Sequence, residues 1–293
     1  MRSDDWHLTE DPDDFLARAG EFLRSRPALH TMPLTVIESL RTRGADAYGA
    51  EAPVFGRLER AGEVRATFYR KPPGLLSLTP LTPEHADTLA ARLAGLGHEL
   101  PGVSAEHSTA TAFAEAWQRH TGATSTPRAY RIRLYRLGTL TPPKPLPEGR
   151  GRVAGEQDLE HIMRWCREFA TAVGEAVSID AGSWAGTRFA DKRYTFWETP
   201  DGTPVSMAGM TPMVAGQIRV DPVYTPARLR GRGYAGAVTV EVSRAALAEG
   251  AREVVLFADA SNPTSNTLYQ RIGYLPVTEF AVYDFSHAAP EAG

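Results

Sequence analysis

At 293 residues, with 42% hydrophobic and 23% charged residues, the chain has the make-up of an ordinary globular protein and length enough for two domains. A net charge of −3 gives no electrostatic ground for nucleic acid or an anionic membrane as partner, and the single cysteine, Cys166, excludes an internal disulfide. No stretch approaches the roughly 20 apolar residues of a membrane span, and the polar start lacks the apolar core of a signal peptide, so a cytoplasmic location is expected.

In chain order, helical runs come first, near Phe15–Arg24 and Leu34–Arg43. Strands are predicted at Val54–Glu59, Val64–Arg70 and Leu75–Pro80, followed by a helix from Pro83 to Gly95. A short apolar run near Val103, a helix from Thr109 to His120 and a strand over Ala129–Leu137 complete the first half. Leu137 to Gly151 then holds four prolines and three glycines, which continue neither a helix nor a central strand. That composition predicts a linker at 139–150 between domains at 1–138 and 151–293.

The second half opens with Leu159, Ile162, Met163 and Cys166 at helical spacing, an amphipathic helix over Asp158–Arg167 with that face inward. Beyond a polar stretch, Tyr194–Glu198 and Pro204–Ala208 flank a Pro-Asp-Gly turn and read as a hairpin, and Gln217–Tyr224 reads as a strand. The next helix presents Val238, Val242, Ala245 and Ala246 and stops at Gly250. A strand at Val254–Ala258, a helix at Thr264–Ile272 closed by Gly273, and an alternating strand at Val277–Phe285 follow.

Between Val223 and Gly236 the chain reads VYTPARLRGRGYAG, a strand end running through a turn straight into a helix. Glycines let the backbone approach a ligand closely, and the first amides of a helix are unpaired and carry the positive end of its dipole. With Arg228, Arg230 and Arg232 adding fixed charge, the turn is suited to a phosphate chain. No Gly-Lys-Ser/Thr follows, which excludes a Walker loop. Gly231, Gly233 and Gly236 do spell G-x-G-x-x-G, and Asp259 ends the next apolar run about where a ribose-binding acid would sit. Six residues separate the strand end from Gly231, however, and only about two more strands follow, too little chain for a dinucleotide-binding sheet.

The same region closely resembles the coenzyme A pyrophosphate loop of the GNAT acyltransferase superfamily. Its R-x-x-G-x-A/G signature fits Arg230, Gly233 and Ala235, leaving Tyr234 and Ala235 as the opening turn of the helix; the letters also fit from Arg228. Downstream, Asn262, Ser265, Tyr269, Gly273 and Tyr274 are similar to the N-x-x-A/S-x-x-x-Y…G-Y/F segment of that family. The resemblance implies an α/β (α+β) fold with a central mixed, mostly antiparallel sheet flanked by helices. The first half shows the same element order, but Glu84-His85-Ala86-Asp87 stand where the arginine–glycine turn would be. Two GNAT-like domains are therefore expected, the first degenerate and unable to hold phosphates.

The resemblance further implies acetyl-coenzyme A as cosubstrate and N-acetylation of an amine on a small molecule or peptide, other acyl groups remaining open. Cofactor contacts are assigned to Val223, Tyr224, Thr225, Arg230, Gly231, Arg232, Gly233, Tyr234 and Ala235. Asn262 and Asn266 are expected to reach the same cofactor, Asn262 being equally suited to capping a helix. Tyr269 takes the role of general acid toward the leaving thiolate. The base stays open among Glu198, Asp221 and Glu175, with water as a further route. His161 reads as a surface residue and Cys166 as a packed thiol, and eight scattered histidines without ligand spacing imply no metal. A non-catalytic coenzyme A binding or sensing module is the alternative function, and an NAD-dependent oxidoreductase a third.

Overall fold

The computed structural model describes residues 5–44, 51–175 and 177–286. Residues 1–4, part of the polar start read above, lie outside them, as do the outer ends of the two expected domains. The elements are β1 (Asp5–Thr9), α1 (Pro12–Ser25), α2 (Thr31–Arg43), β2 (Val54–Arg60), β3 (Glu63–Arg70), β4 (Leu76–Leu78), α3 (Pro83–Gly95), β5 (Gly102–Glu106), α4 (His107–Thr121) and β6 (Thr124–Pro127). There follow β7 (Ile132–Leu137), β8 (Arg150–Val153), α5 (Leu159–Ala172), β9 (Arg193–Glu198), β10 (Pro204–Met210), β11 (Gln217–Tyr224), α6 (Tyr234–Ala248), β12 (Glu253–Asp259), α7 (Pro263–Arg271) and β13 (Tyr274–Ser286). No helix among the described residues is long and apolar enough to cross a membrane.

Two compact units are present. The first comprises Met1–Arg133, Asp259–Ser261 and Thr278–Gly293, the second Leu134–Ala258 and Asn262–Val277. Each is a mixed, mostly antiparallel sheet with helices, as the sequence implies.

In the first unit the strand order is β1-β2-β3-β4-β5 and then the Thr278–Ser286 part of β13, with β6 also on β13. All pairs are antiparallel except β4 with β5. Alternation along the strands sends Phe68, Leu76, Leu78, Val103 and Ala105 to one face, where α3 and α4 supply Leu89, Leu93, Phe113 and Trp117. The other face lies against α1 and α2, with Phe15 on Phe55 at 5.3 Å between ring centroids. Helix α1 starts where it does because Asp11 accepts from the Asp13 and Asp14 amides at 2.8 and 3.2 Å.

In the second unit the order is β13, β7, β12, β11, β10, β9, β8, with β11 and β12 parallel and β8 to β11 antiparallel. Helix α6 buries Val238, Val240, Val242 and Ala246 in one core with Ile218, Val254 and Leu256. A second cluster joins α5 to β9, β10 and β11 through Trp165, Cys166, Phe196, Met207 and Tyr224. The proline-rich segment after β7 lies along its own unit: the Gly138 and Thr141 amides donate to the carbonyls of Gly273 and Ile272, both at 2.9 Å. Gly273 has φ +104°, and a Cβ there would stand 1.8 Å from the Thr139 carbonyl oxygen, so only glycine closes α7 against this segment.

Several expectations are corrected. Strands β1, β6 and β8 are absent from the sequence reading, and β13 begins at Tyr274 rather than Val277. In α5 the buried residues are Ile162, Trp165, Cys166 and Ala170, and Leu159 is 41% exposed, so the helix is turned from its expected face. Helix α6 buries the expected Val238, Val242 and Ala246 and, beyond that face, Thr239 and Ser243; Ser243 Oγ pairs with Tyr274 Oη at 2.7 Å. Its C-terminus closes at Gly250, φ +90°, as expected.

Candidate functional site

The site lies where β11 hands over to α6. The parallel ladder of β11 on β12 runs from Gln217↔Glu253 to Val220↔Leu256 and stops there, although β11 continues to Tyr224. On its opposite edge β11 stays paired to β10 as far as Met207↔Tyr224. The segment around Val223 and Thr225 therefore sits at a place where two parallel neighbours part. Thr225 is buried, its Oγ1 sharing a hydrogen bond with Ser206 Oγ at 2.8 Å, and its carbonyl accepts from Arg230 Nε at 3.0 Å. That bond fixes the turn from inside.

Gly231 and Gly233 both have left-handed φ, +77° and +81°, with Arg232 between them. A β-carbon is strained in either conformation, which is why glycine occupies both. Gly233 is the residue before α6, and no side chain caps the helix there; its first turn holds no acid. The opening amides of α6, from Tyr234 and Ala235, thus face outward with the helix dipole behind them. Arg228 and Arg232 are exposed beside them. In the first unit the matching helix start is closed: Thr82 Oγ1 accepts from the His85 amide at 3.2 Å, and Glu84 places a negative charge in the first turn.

Tyr269 projects from α7 into the core of the second unit and is 8% exposed. Its ring packs on Tyr135 and Tyr274, each at 6.2 Å between centroids. Its hydroxyl makes no hydrogen bond to another described residue. Burial, then the Asp221 carboxylate and Tyr135, push its pKa well above the ordinary tyrosine value, so the phenol keeps its proton at neutral pH.

Asn262 takes the helix-capping role that was one of its two expected uses, and Asn266 is held inside the second unit. Asn262 Oδ1 accepts from the Ser265 amide at 3.1 Å and caps α7. Asn266 is buried; its Oδ1 accepts from Tyr135 Oη at 2.7 Å and its Nδ2 donates to the Asn262 carbonyl at 2.7 Å. The amide of Asn266 is spent on holding the helix that carries Tyr269.

The three carboxylates considered as bases are all engaged. Glu198 accepts from Arg152 Nε at 2.6 Å. Glu175 accepts from Arg188 at 2.6 Å, and Arg188 also donates to Asp221, which in addition holds the buried ammonium of Lys192. Burial alone would raise the Asp221 pKa, but Lys192, Arg188 and Arg219 outweigh it and keep the carboxyl well below the ordinary range. Lys192 and Arg188 were missed in the sequence; the one available signal is that Lys192 is the only lysine after residue 150. Also missed was Glu168 on α5, which accepts from Tyr224 Oη at 2.7 Å and ties that helix to the end of β11. His161 is half-buried, edge-on to Trp165 at 4.2 Å, and so differs from the surface residue expected. Cys166 is buried beside Tyr194, and burial pushes its thiol up to about 11, the inert packed thiol read from the sequence.

A family model described as FR47-like protein matches residues 211–281, the stretch from the end of β10 through the turn to β13. Solved structures align over nearly the whole chain. A tandem GNAT protein from the clavulanic acid biosynthesis pathway is 13% identical, with 98% of this chain and 100% of that one covered at a TM-score of 0.56. The chain has the GNAT fold. A GCN5-related N-acetyltransferase from Sphaerobacter thermophilus is 22% identical, with 95% and 94% covered and a TM-score of 0.58. A GNAT-family acetyltransferase from Colwellia psychrerythraea is 11% identical, with 96% and 100% covered and a TM-score of 0.57. No curated protein sequence matches the chain. In GNAT terms both units carry the early parting of the parallel strand pair, and the second alone pairs it with an open, arginine-flanked helix start.

Proposed function

We propose that this GNAT chain is an N-acetyltransferase that moves an acetyl group from acetyl-coenzyme A to the amine of a small molecule or peptide, with the chemistry in the second unit. The observation that carries the reading is the uncapped start of α6, with two left-handed glycines and three arginines before it. A pyrophosphate fits that donor set: the amides of Gly231 to Ala235 bind its oxygens, and Arg230 and Arg232 balance its charge. The backbone at Val223, Tyr224 and Thr225, beyond the end of the β12 ladder, is available to pair with the pantetheine arm. Asn262 retains its Nδ2 for the same ligand.

Acetyl-coenzyme A would supply the activated acyl group, its thioester C–S bond breaking as the amide bond forms, and coenzyme A would leave as a thiol. Tyr269 holds the proton that the departing sulfur takes, from a hydroxyl free of competing bonds and kept neutral by burial. Because Glu198, Asp221 and Glu175 are each paired with arginine or lysine, the acceptor amine loses its proton through water.

Titration calorimetry with coenzyme A tests the placement. Gly233→Val forces a branched side chain into φ +81°, and the resulting loss of amide alignment weakens binding by about 1.5–3 kcal/mol, roughly tenfold or more. Wild-type affinity in that variant overturns it.

A further inference from the structure

The segment after β7 has the composition of a linker, yet its two ends and its middle are fixed on the second unit. At its start the Gly138 and Thr141 amides bond to Gly273 and Ile272, and Leu140 packs on the core that holds Tyr269. At its end the Trp197 indole donates to the Glu148 carbonyl at 3.2 Å. Gly149, φ +126°, passes so close there that a β-carbon would stand 2.1 Å from the Glu198 carbonyl oxygen. Between these anchors a β-carbon at Gly233 would lie 3.8 Å from the Pro147 ring, and one at Gly236 4.0 Å from Pro143. The chain from Pro143 to Pro147 therefore runs alongside the first turn of α6, whose amides are open.

Lys144 is the cation of this stretch. It is exposed and bonds to no other described residue, and Glu148, the one acid between residues 138 and 149, lies beyond Pro147. Pro142, Pro143, Pro145 and Pro147 restrict the backbone on both sides of it, so little main-chain freedom is left to lose when its ammonium is engaged.

The amides of Gly231 to Ala235, with Arg230 and Arg232, answer the two phosphates of a pyrophosphate. Coenzyme A has a third, the monoester on the ribose 3′-oxygen, with about two negative charges at neutral pH. An ammonium is a compact point charge with three donors on a flexible stem, which suits a monoester that offers three oxygens and no fixed plane. We propose that Lys144 binds this 3′-phosphate and makes the second unit select coenzyme A over its dephosphorylated form. The inference rests on the coenzyme A reading above and adds to it a residue from outside the turn, on a segment whose sequence reads only as a tether.

Calorimetric titration of the full chain with coenzyme A and with dephospho-coenzyme A, which keeps the pyrophosphate and lacks only the 3′-phosphate, reads the residue directly. Wild type is expected to bind coenzyme A about tenfold more tightly than the dephosphorylated form. Lys144→Ala brings that ratio to within about twofold of unity and leaves the affinity for dephospho-coenzyme A unchanged. Lys144→Glu, which places a negative charge beside the phosphate, reverses the preference. Because Lys144 is exposed and unbonded, both variants keep the wild-type melting temperature. A wild-type ratio retained in Lys144→Ala overturns the proposal, and so does an equal loss of both ligands, which would move Lys144 to the pyrophosphate or to the shape of the turn. A wild type that binds neither ligand strikes the coenzyme A reading and this inference with it. Tight binding of both ligands at equal affinity, still weakened by Gly233→Val, strikes only the role of Lys144.

Discussion

The Tyr269 hydroxyl is unusual for a buried phenol in having no hydrogen-bond partner among the described residues. Buried tyrosines ordinarily give their hydroxyl a partner, and removal then costs stability. Here Tyr269→Phe removes no bond and retains the ring packing on Tyr135 and Tyr274. Melting temperature and coenzyme A affinity are therefore expected to hold, while turnover measured by thiol release falls about 10²–10⁴-fold. Unchanged turnover assigns the sulfur's proton to another group. At this scale the turn was legible, because glycine at left-handed φ and arginine before a helix are local properties written in adjacent letters. The cap at Asn262 was legible too, whereas the bond from Tyr135 to Asn266 was not, since 131 residues separate the two. The partners of Asp221 were hidden in the same way: Lys192 lies 29 residues away, and no periodicity links the two.

Between α5 and β9 the described chain has no strand and only short turns, at Trp184–Gly186 among them. Besides the apolar cluster that buries Ile179 and Phe189 with Tyr224, this segment is tied to β11 by the ladder Glu175–Arg188–Asp221–Lys192, supported by Arg188 over the Phe189 ring at 4.2 Å. Asp221→Asn leaves Lys192, whose side chain is 3% exposed, without its counter-charge, while Asp221 itself is 21% exposed. A destabilisation of about 2–3 kcal/mol follows, at the low end for a broken buried pair. The pH dependence has a definite sign. The folded carboxyl titrates below its unfolded value near 3.8, so its stabilisation is complete above that pH and is lost as pH falls through the lower folded value. Urea unfolding from pH 7 to pH 3 should show wild type losing stability below about pH 4 more steeply than Asp221→Asn. Equal slopes would mean that Asp221 contributes nothing to the segment. Helices and central strands were readable because their burial imposes a period. The strands that escaped were short or exposed: β8 is exposed at three of its four residues, and β6 reads Thr-Ser-Thr-Pro.

Across the whole molecule two units of the same design carry one open, arginine-flanked helix start. The start of α3 is already satisfied by Thr82 and made acidic by Glu84, whereas that of α6 is open. Calorimetry with coenzyme A is expected to saturate at one equivalent per chain; two equivalents would place a second nucleotide site on the first unit. The repeat of element order was legible in the sequence, since each half spells its own helices and strands. Which sheet a strand joins was not, because pairing partners are chosen by the fold and leave no mark on a strand's own alternation. The segment Leu134–Leu137 belongs to the second unit and Thr278–Ser286 to the first.

That assignment sets a clock on biosynthesis. Residues 102–106 form a central strand whose partner, Phe280–Asp284, is translated more than 170 residues later, at a span set by the register Phe280↔Glu106. Until then Phe113 and Trp117 lack Phe285, which stacks on Trp117 at 5.9 Å in the finished unit. At about 5–20 residues per second, the first unit waits on the order of ten to thirty seconds with an open strand edge. The half made first is finished last, and a nascent chain of this kind depends on whatever shields that edge in the interval.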